Sequence, residues 1–264
     1  MRPPRRIRRV PAGLPLRAIA PNALTALALC SGLTGVRFAI AGDWQTAVVM
    51  ILVASALDGV DGQVARLLRG TSRFGAELDS LSDAISFGVA PALILYLWSL
   101  TNAPRFGWIC ALLFAVFCAM RLARFNAQID ATEQPRKAAG FLTGVPAPAG
   151  AIGAMLPLYL WFITGAPEWR EWWLVAPWMA FIALLMISSI ATFSWGSMRL
   201  RRNIRFEALA VIVAIGVLLI SAPWPTLVGI CLVYLALIPF SARSYTRIRR
   251  QRATASAAKA PAGP

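Results

Sequence analysis

The acidic residues of this sequence are few, and nearly half of them lie in one short stretch. Of the 11 Asp and Glu residues in 264, five fall within this stretch: Asp58, Asp61, Glu77, Asp79 and Asp83. The aspartates follow one another at intervals of three and four residues, which places them on common faces of α-helices. Carboxylates grouped in this way are ligands for hard divalent cations such as Mg²⁺ and Mn²⁺.

The other residue types restrict the chemistry further. The chain contains no histidine, and its four cysteines lie in apolar stretches without CxxC spacing: Cys30, Cys110, Cys118 and Cys231. These counts exclude histidine-based catalysis and argue against a zinc site or a disulfide framework. Four carboxylates favour two divalent ions by charge balance, and a two-metal site stabilises the attacking and leaving oxygens of a phosphoryl displacement.

Helical spacing predicts that the aspartates form two facing stripes. At about 100° per residue, the first stripe shares its face with two small residues and an arginine: Asp58, Asp61, Gly62, Ala65 and Arg66. The second stripe is formed by Gly75, Asp79 and Asp83, with Ser82 and Ser86 beside it and Glu77 pointing away. The connection 67–74 is short, so we expect the stripes to face one another. The small residues leave room for a ligand, and Arg66 offers a forked donor for a phosphate.

The composition predicts an all-α, polytopic membrane helix bundle. The chain is 58% hydrophobic and 14% charged, and its mean hydropathy is +0.65. We predict about eight transmembrane helices, because each apolar segment approaches the roughly 20 residues that cross a bilayer. The segments are 23–40, 45–66, 77–99, 106–126, 147–164, 172–190, 207–222 and 225–241.

The distribution of cations predicts the orientation. With eight spans, all but three of the 26 Lys and Arg residues lie on the side of the two termini; the exceptions are Arg37, Arg105 and Arg170. The positive-inside rule then places both termini in the cytoplasm, the acidic stripes at the cytoplasmic membrane edge, and the protein in the cell (inner) membrane. The net charge of +15 is spread over short juxtamembrane segments, which predicts contact with anionic membrane lipids and no nucleic-acid binding.

The aspartate stripes also carry a family motif. Asp58-x-x-Asp61-Gly62-x-x-Ala65-Arg66, followed after eight residues by Gly75-x-x-x-Asp79-x-x-x-Asp83, resembles the signature of the CDP-alcohol phosphotransferases. The resemblance implies metal ligation by Asp58, Asp61 and Asp79, with Asp83 as a further ligand and general base. It also implies two Mg²⁺ or Mn²⁺ ions, catalytic participation of Arg66, and a CDP group bordered by these residues: Gly62, Ala65, Arg66, Gly75, and Asn22 and Thr25 of the segment Pro21-Asn22-x-x-Thr25.

Within that family the chain most resembles the membrane phosphatidylserine synthases. The residues that carry this resemblance are Ser80-x-x-Asp83-x-x-Ser86-Phe87-Gly88, Arg121-x-x-Arg124-Phe125-Asn126 and the stretch 141–149. The implied reaction transfers a phosphatidyl group from CDP-diacylglycerol to the hydroxyl of L-serine and releases CMP. The implied organisation is a basic segment 1–20, a membrane domain 21–245 with its catalytic core at 21–190, and a disordered cytoplasmic tail 246–264. The residues do not decide the oligomeric state; a homodimer is one option.

The residues leave the acceptor and the reaction class open to alternatives. The carboxylate of serine calls for an arginine, and Arg121 and Arg124 both suit it, with Asn126, Ser82 and Ser86 as polar neighbours. Both arginines are equally explained as positive-inside anchors. Glycerol 3-phosphate or inositol phosphate are alternative acceptors for the same chemistry. Carboxylate clusters also mark ion paths, so a cation transporter is a further alternative, and a non-catalytic scaffold is a third.

Overall fold

The protein is an all-α helical bundle with one short pair of strands. The computed structural model describes residues 16–68, 72–103, 105–129, 141–193 and 205–259. The elements in these ranges are α1 (Leu16–Ile40), α2 (Trp44–Leu67), α3 (Arg73–Asp83), a π-helical segment (Ala84–Val89), α4 (Ala90–Trp98), a 3₁₀ turn (Leu100–Asn102), α5 (Phe106–Ile129), β1 (Phe141–Thr143), α6 (Ala147–Ala154), α7 (Leu156–Thr164), a 3₁₀ turn (Pro167–Arg170), α8 (Trp172–Ile187), β2 (Ala191–Phe193), α9 (Arg205–Ser221) and α10 (Pro223–Lys259). The predicted fold class is confirmed.

The apolar helices coincide with the predicted membrane segments. Within the described ranges, six helices are long and apolar enough to cross a membrane: Ile19–Ile40, Trp44–Leu67, Arg73–Trp98, Phe106–Ala127, Ala147–Thr164 and Pro223–Ser241. Two further predicted segments correspond to shorter apolar helices, Trp172–Ile187 and Ala210–Ser221. The protein is therefore a multi-pass membrane protein, while the count of eight and the side of the termini remain predictions.

The boundaries differ from the predicted ones at both ends of the chain. Helix α1 begins at Leu16, and residues 1–15 of the predicted basic segment lie outside the described residues. Helix α10 continues to Lys259, so the backbone is helical over most of the segment for which the sequence predicts disorder. The strands β1 and β2, which the sequence analysis does not predict, pair antiparallel with Leu142 opposite Thr192.

A tight turn joins α1 to α2 and sets the two helices side by side. Gly42 adopts φ +80°, a left-handed conformation that glycine accepts without a steric cost. Asp43 caps α2 by accepting a hydrogen bond from the backbone N–H of Thr46 at 3.1 Å. Hydrogen bonds from the side chain and backbone of Thr46 lower the pKa of Asp43 below its ordinary value. This turn fixes α1 along the helix that carries the first aspartate stripe.

Helix α1 also packs closely against the helix that carries the second stripe. Ser82 donates a hydrogen bond to the carbonyl oxygen of Thr25 at 3.2 Å, and Ser86 donates one to the carbonyl oxygen of Ala28 at 3.3 Å. Gly32 allows this approach, because a Cβ atom there would lie 2.7 Å from the Ser86 Oγ and 2.9 Å from its Cα. Both aspartate stripes are thus positioned against one common helix.

We expect Gly32→Ala to lower the thermal unfolding temperature of the detergent-solubilised protein. The added methyl group meets the backbone of Ser86, and overpacking of this kind costs about 1–3 kcal/mol. The matched control is Gly229→Ala on α10, where a Cβ atom meets nothing within 4 Å. An unfolding temperature for Gly32→Ala equal to that of the control would contradict this account of the contact between α1 and the π-helical segment.

The helix that follows α3 changes its hydrogen-bond pattern immediately after Asp83. Residues Ala84–Val89 form a π-helical segment before the regular helix resumes at Ala90. Segments of this kind are frequent at functional sites because they re-aim side chains within a helix. Here Gly88 lies against Cys118 of α5, where a Cβ atom on Gly88 would be 3.1 Å from the Cβ of Cys118. The π-helical segment and α5 are therefore in close contact at Gly88, five residues after Asp83.

Candidate active site

Three of the predicted aspartates converge at the junction of α2 and α3. Asp58 and Asp61 lie on the last turns of α2, and Asp79 lies in the middle of α3. One carboxylate oxygen from each of these residues lies within 4.8 Å of the others. Asp61 is buried, with 4% of its surface exposed, and the other two are half-buried. The two stripes therefore meet as expected. The connection between their helices includes residues 69–71, which lie outside the described part of the chain.

Asp83 adjoins this cluster without being one of its three members. Its carboxyl group is within hydrogen-bonding reach of that of Asp58, and it also interacts electrostatically with Asp79 and Arg121. Two carboxyl groups in such contact require a shared proton or a cation to offset their repulsion. Glu77, predicted to point away, is exposed. The four predicted aspartates therefore form one group, with Asp83 at the end that faces α5.

Thr25 of α1 orients one ligand of the cluster. Its hydroxyl lies 2.6 Å from the Asp61 Oδ2 and 3.0 Å from the carbonyl oxygen of Pro21. A hydroxyl carries a single hydrogen, which these two acceptors share, and the shorter distance favours the carboxylate. Fixing one oxygen of Asp61 in this way directs its other oxygen, and partners of this kind tune metal affinity in carboxylate sites.

We expect Thr25→Val to raise the Mg²⁺ or Mn²⁺ concentration required for half-maximal activity about 10-fold or more, because loss of such an orienting partner costs 10–100-fold in metal affinity. Valine keeps the shape of the side chain and removes the hydrogen bond to Asp61. Thr25→Ser, which keeps the hydroxyl, serves as the control. The measurement is the reaction rate as a function of metal concentration. Equal metal requirements for the two variants would contradict the orienting role.

A cavity of about 220 Å³ opens beside the aspartates between α1, α2 and α3. All six residues predicted to border the CDP group line it, namely Asn22, Thr25, Gly62, Ala65, Arg66 and Gly75. Asp61 and Asp79 line the same cavity, so it is continuous with the aspartate cluster. Gly62 is exposed and a Cβ atom there would meet nothing within 4 Å, which leaves the backbone of α2 accessible from the cavity.

The cavity wall contains a polar group that the protein leaves without a partner. The Nδ2 of Asn22 is buried and makes no hydrogen bond. Its Oδ1 lies where a Cβ atom on Gly75 would be 2.7 Å away, so glycine at this position is what allows Asn22 to reach α3. Buried donors are normally satisfied, and an orphaned one beside a cavity is a binding group for a ligand.

The N-terminus of α3 adds a favourable field for an anion. Ser72 caps the helix, its Oγ accepting a hydrogen bond from the N–H of Gly75 at 3.0 Å. The positive end of the helix dipole therefore faces the cavity that Ser72 and Gly75 line. Ser72 is not among the site residues predicted above, although serine is a preferred N-cap residue.

These residues fit a divalent metal ion and a phosphate-bearing ligand. The donor set consists of carboxylate oxygens, which Mg²⁺ and Mn²⁺ prefer, and three of them lie close enough together to share an ion. Arg66 is exposed at the cavity edge, where its guanidinium can form a bidentate contact with a phosphate. An orphaned amide donor and a helix N-terminus complete the surroundings of such a ligand.

The structure separates the predicted acceptor residues into two groups. Ser82 and Ser86 are buried, and their hydroxyls bond to carbonyls of α1. They hold α1 to α3 and to the π-helical segment, and because their hydroxyls are used in these bonds the acceptor pocket proposed below does not include them. Arg121, Arg124 and Asn126 lie on α5 and do not line the cavity, and Arg121 interacts electrostatically with Asp83.

Asn126 links α5 to α3. Its Nδ2 donates a hydrogen bond to the Oγ of Ser80 at 2.7 Å, and Ser80 in turn donates to the carbonyl oxygen of Ala76 at 3.0 Å. Ser80 is a positioning residue that the sequence analysis quotes in a motif but does not select for the site. Its place one residue after Asp79 makes this link a determinant of where α3 holds its carboxylates.

Comparison with known proteins agrees with this geometry. The family model described as CDP-alcohol phosphatidyltransferase matches residues 18–242, which include every residue of the aspartate cluster and its cavity. The chain belongs to the CDP-alcohol phosphatidyltransferase family. The family motif is thus present both in the sequence and in a structure that brings its residues together.

Relatives of this chain include CDP-diacylglycerol–serine O-phosphatidyltransferases from several organisms. The chain is 39% identical over 226 residues to the CDP-diacylglycerol–serine O-phosphatidyltransferase of Mycobacterium tuberculosis. The aligned residues make up 86% of this chain and 79% of the relative. Proteins of the same name from Helicobacter pylori and Methanocaldococcus jannaschii are 37% identical over 174 residues and 43% identical over 103 residues. These matches cover 64% and 39% of this chain and 70% and 45% of the relatives.

Proposed function

We propose that this protein transfers the phosphatidyl group of CDP-diacylglycerol to the hydroxyl of L-serine, forming phosphatidylserine and CMP. The observation that carries the proposal is the convergence of Asp58, Asp61 and Asp79, with Asp83 beside them, next to a cavity lined by the six predicted CDP-binding residues. The names of the relatives support serine as the acceptor.

The cavity and the aspartate cluster would bind different parts of the donor lipid. Asp58, Asp61 and Asp79 would hold the divalent metal, and Asp83 would complete the ligand set for a pair of ions. Metal bound there would neutralise charge on the pyrophosphate and on the oxygens that gain charge during displacement. Arg66 would bind a phosphate oxygen of the CDP group, and Asn22 would donate its free amide hydrogens to the same ligand. The acyl chains would remain in the bilayer.

Asp83 is the proposed general base. Asp83 does not line the nucleotide cavity and interacts electrostatically with Arg121 of α5, so an acceptor bound between α3 and α5 would present its hydroxyl to this carboxylate. Asp83 would take the hydroxyl proton as the serine oxygen attacks the lipid-side phosphorus. The bond from that phosphorus to the bridging oxygen breaks, and CMP leaves with that oxygen.

The proposed orientation places this site at the cytoplasmic face of the inner membrane. The cations near the acidic end support it: Arg66 and Arg73 lie at the junction of α2 and α3, and Arg121 and Arg124 lie near the end of α5. Arg37 lies near the C-terminal end of α1, and Arg170 ends the 3₁₀ turn before α8, both away from that junction.

The test is an acceptor screen with the purified protein in detergent or nanodiscs. CDP-diacylglycerol and Mg²⁺ or Mn²⁺ are supplied with L-serine, glycerol 3-phosphate or inositol phosphate, and CMP and the lipid product are measured by mass spectrometry. We expect metal-dependent CMP and phosphatidylserine with serine. Faster product formation with either phosphorylated acceptor would replace serine in the proposal. Metal flux into liposomes without CMP release from any acceptor would instead support a cation transporter.

A further inference from the structure

We propose that the guanidinium of Arg121, and not that of Arg124, binds the carboxylate of the acceptor amino acid. The inference rests on the proposed function and deepens it, because it assigns the residue that distinguishes an amino-acid acceptor from a neutral alcohol. The two arginines are three residues apart on α5 and have the same chemistry. Their different hydrogen bonding in the folded chain separates their roles.

Arg124 is engaged in holding the protein together. Its Nη1 donates to the carbonyl oxygen of Ile187 at 2.7 Å, and its Nη2 donates to that of Ser188 at 3.0 Å. These carbonyls end α8, whose last groups lack partners within the helix. A cation at this end also complements the negative pole of the helix dipole. Both arms of the guanidinium fork are therefore used, and a bidentate contact with a carboxylate would break them.

Gly144 explains why the contact made by Arg124 is built into the fold. It adopts φ +73°, and a Cβ atom there would lie 2.5 Å from the carbonyl oxygen of Met186 and 3.4 Å from the Nη2 of Arg124. Its N–H donates to the carbonyl oxygen of Ile190 at 2.8 Å. The chain before α6, the end of α8 and Arg124 thus close around one another, and glycine is required for this packing.

Arg121 has no such engagement. Its Nε is buried without a hydrogen-bond partner, and the side chain as a whole is half-buried. It interacts electrostatically with Asp83, the proposed base, and with Asp58. A half-buried arginine whose Nε–H has no partner, close to a reactive carboxylate, is suited to bind an anionic group of a ligand.

The space around Arg121 is bounded along the helices. Helix α3 and the π-helical segment run antiparallel to α5, and the hydrogen bond from Asn126 to Ser80 joins them at one level. About one helical turn further in lie Asp83 and Arg121, and beyond them Gly88 contacts Cys118. An acceptor between these two contacts would have its hydroxyl at Asp83 and its carboxylate at Arg121. Of the two arginines on α5, Arg124 is engaged elsewhere, which leaves the guanidinium of Arg121 for one carboxylate.

The experiment compares an acceptor that has a carboxylate with one that lacks it. L-Serine and L-serinamide have the same hydroxyl and amine, but serinamide has no negative charge. KM and kcat for both are measured for the wild type and for Arg121→Gln, Arg121→Lys and Arg124→Gln. We expect Arg121→Gln to raise the KM for serine at least about 30-fold, as loss of a buried charge partner does, and to change the KM for serinamide less than about threefold. Lysine, which keeps the charge but not the fork, should fall between.

Arg124→Gln is expected to act on both acceptors equally, because it disturbs the packing of α8 and leaves the carboxylate contact in place. It should lower the unfolding temperature and kcat while the ratio of the two KM values stays at its wild-type value. Inhibition constants of L-alanine and L-alaninamide, which have no hydroxyl to react, give the same comparison without turnover.

Two results would overturn the assignment. One is an equal rise of KM for serine and serinamide in Arg121→Gln, and the other is a loss selective for serine in Arg124→Gln. Both are distinct from failure of the proposed function, in which the wild type itself would form no phosphatidylserine. In that case the assignment of a carboxylate to Arg121 fails with it.

Discussion

Asp83→Asn is expected to reduce the rate of CMP release by about 10³-fold or more while the protein remains folded. The substitution removes the proposed base, and general base catalysis alone contributes about 10²–10⁴-fold. It also removes a carboxylate from the group formed with Asp58, so the loss should fall at the upper part of this range. Asparagine is nearly isosteric with aspartate, and we expect the size-exclusion profile and the unfolding temperature to match the wild type closely. The measurement is the initial rate of CMP release at saturating serine, CDP-diacylglycerol and metal.

Asp43→Asn is the matched control for this substitution. Asp43 lies at the start of α2, outside the aspartate cluster, where it caps the helix by accepting a hydrogen bond from Thr46. Asparagine is an equally good cap, so activity and stability should both be retained. Wild-type turnover by Asp83→Asn would show that another group removes the hydroxyl proton, and would leave the metal-binding role of the other aspartates intact.

Asp79→Asn is expected to raise the metal concentration required for half-maximal activity by about 100-fold or more. Asp79 supplies one of the three carboxylate oxygens that lie within 4.8 Å of one another. Loss even of a partner that merely orients a ligand costs 10–100-fold in metal affinity, so loss of a ligand itself should cost at least as much. The measurement is a Mn²⁺ and Mg²⁺ titration of CMP release, with Mn²⁺ binding followed independently by electron paramagnetic resonance.

Glu77→Gln provides the control on the same helix. Glu77 is exposed and lies two residues before Asp79, on a different face of α3. It carries the same charge, so its removal changes the net charge of the helix equally and leaves the cluster untouched. A parallel shift of the metal requirement in both variants would mean that Asp79 acts through the overall field of the acidic end and not as a ligand.

Much of the site follows from local spacing. The intervals between Asp58 and Asp61, and between Asp79 and Asp83, place each pair on one side of a helix whatever the rest of the chain does. Because the connection between the two helices is short, the helices must lie side by side. All six residues predicted for the CDP group line one cavity because they occupy the same helix faces as the aspartates.

The acceptor side could not be predicted in the same way, because it depends on contacts between residues far apart in the chain. Ser82 lies one residue from Asp83, yet its hydroxyl bonds to Thr25 of α1. Proximity to Asp83 in the sequence does not show which neighbouring side chains face α1 and which face α5. The role of Ser80 is equally hidden in the sequence, because its bond to Asn126 spans 46 residues.

By itself, the sequence determined the all-α membrane class, the positions of the apolar helices and the pairing of the aspartates. Those properties depend on composition and on the 3.6-residue period of the helix, which are local. Tertiary structure decided that Asp83 stands at the edge of the cluster and that Arg124 is bonded to the end of α8 while Arg121 is not. Identical side chains on one helix acquire different roles because a hydrogen bond depends on which distant carbonyl the fold brings within reach.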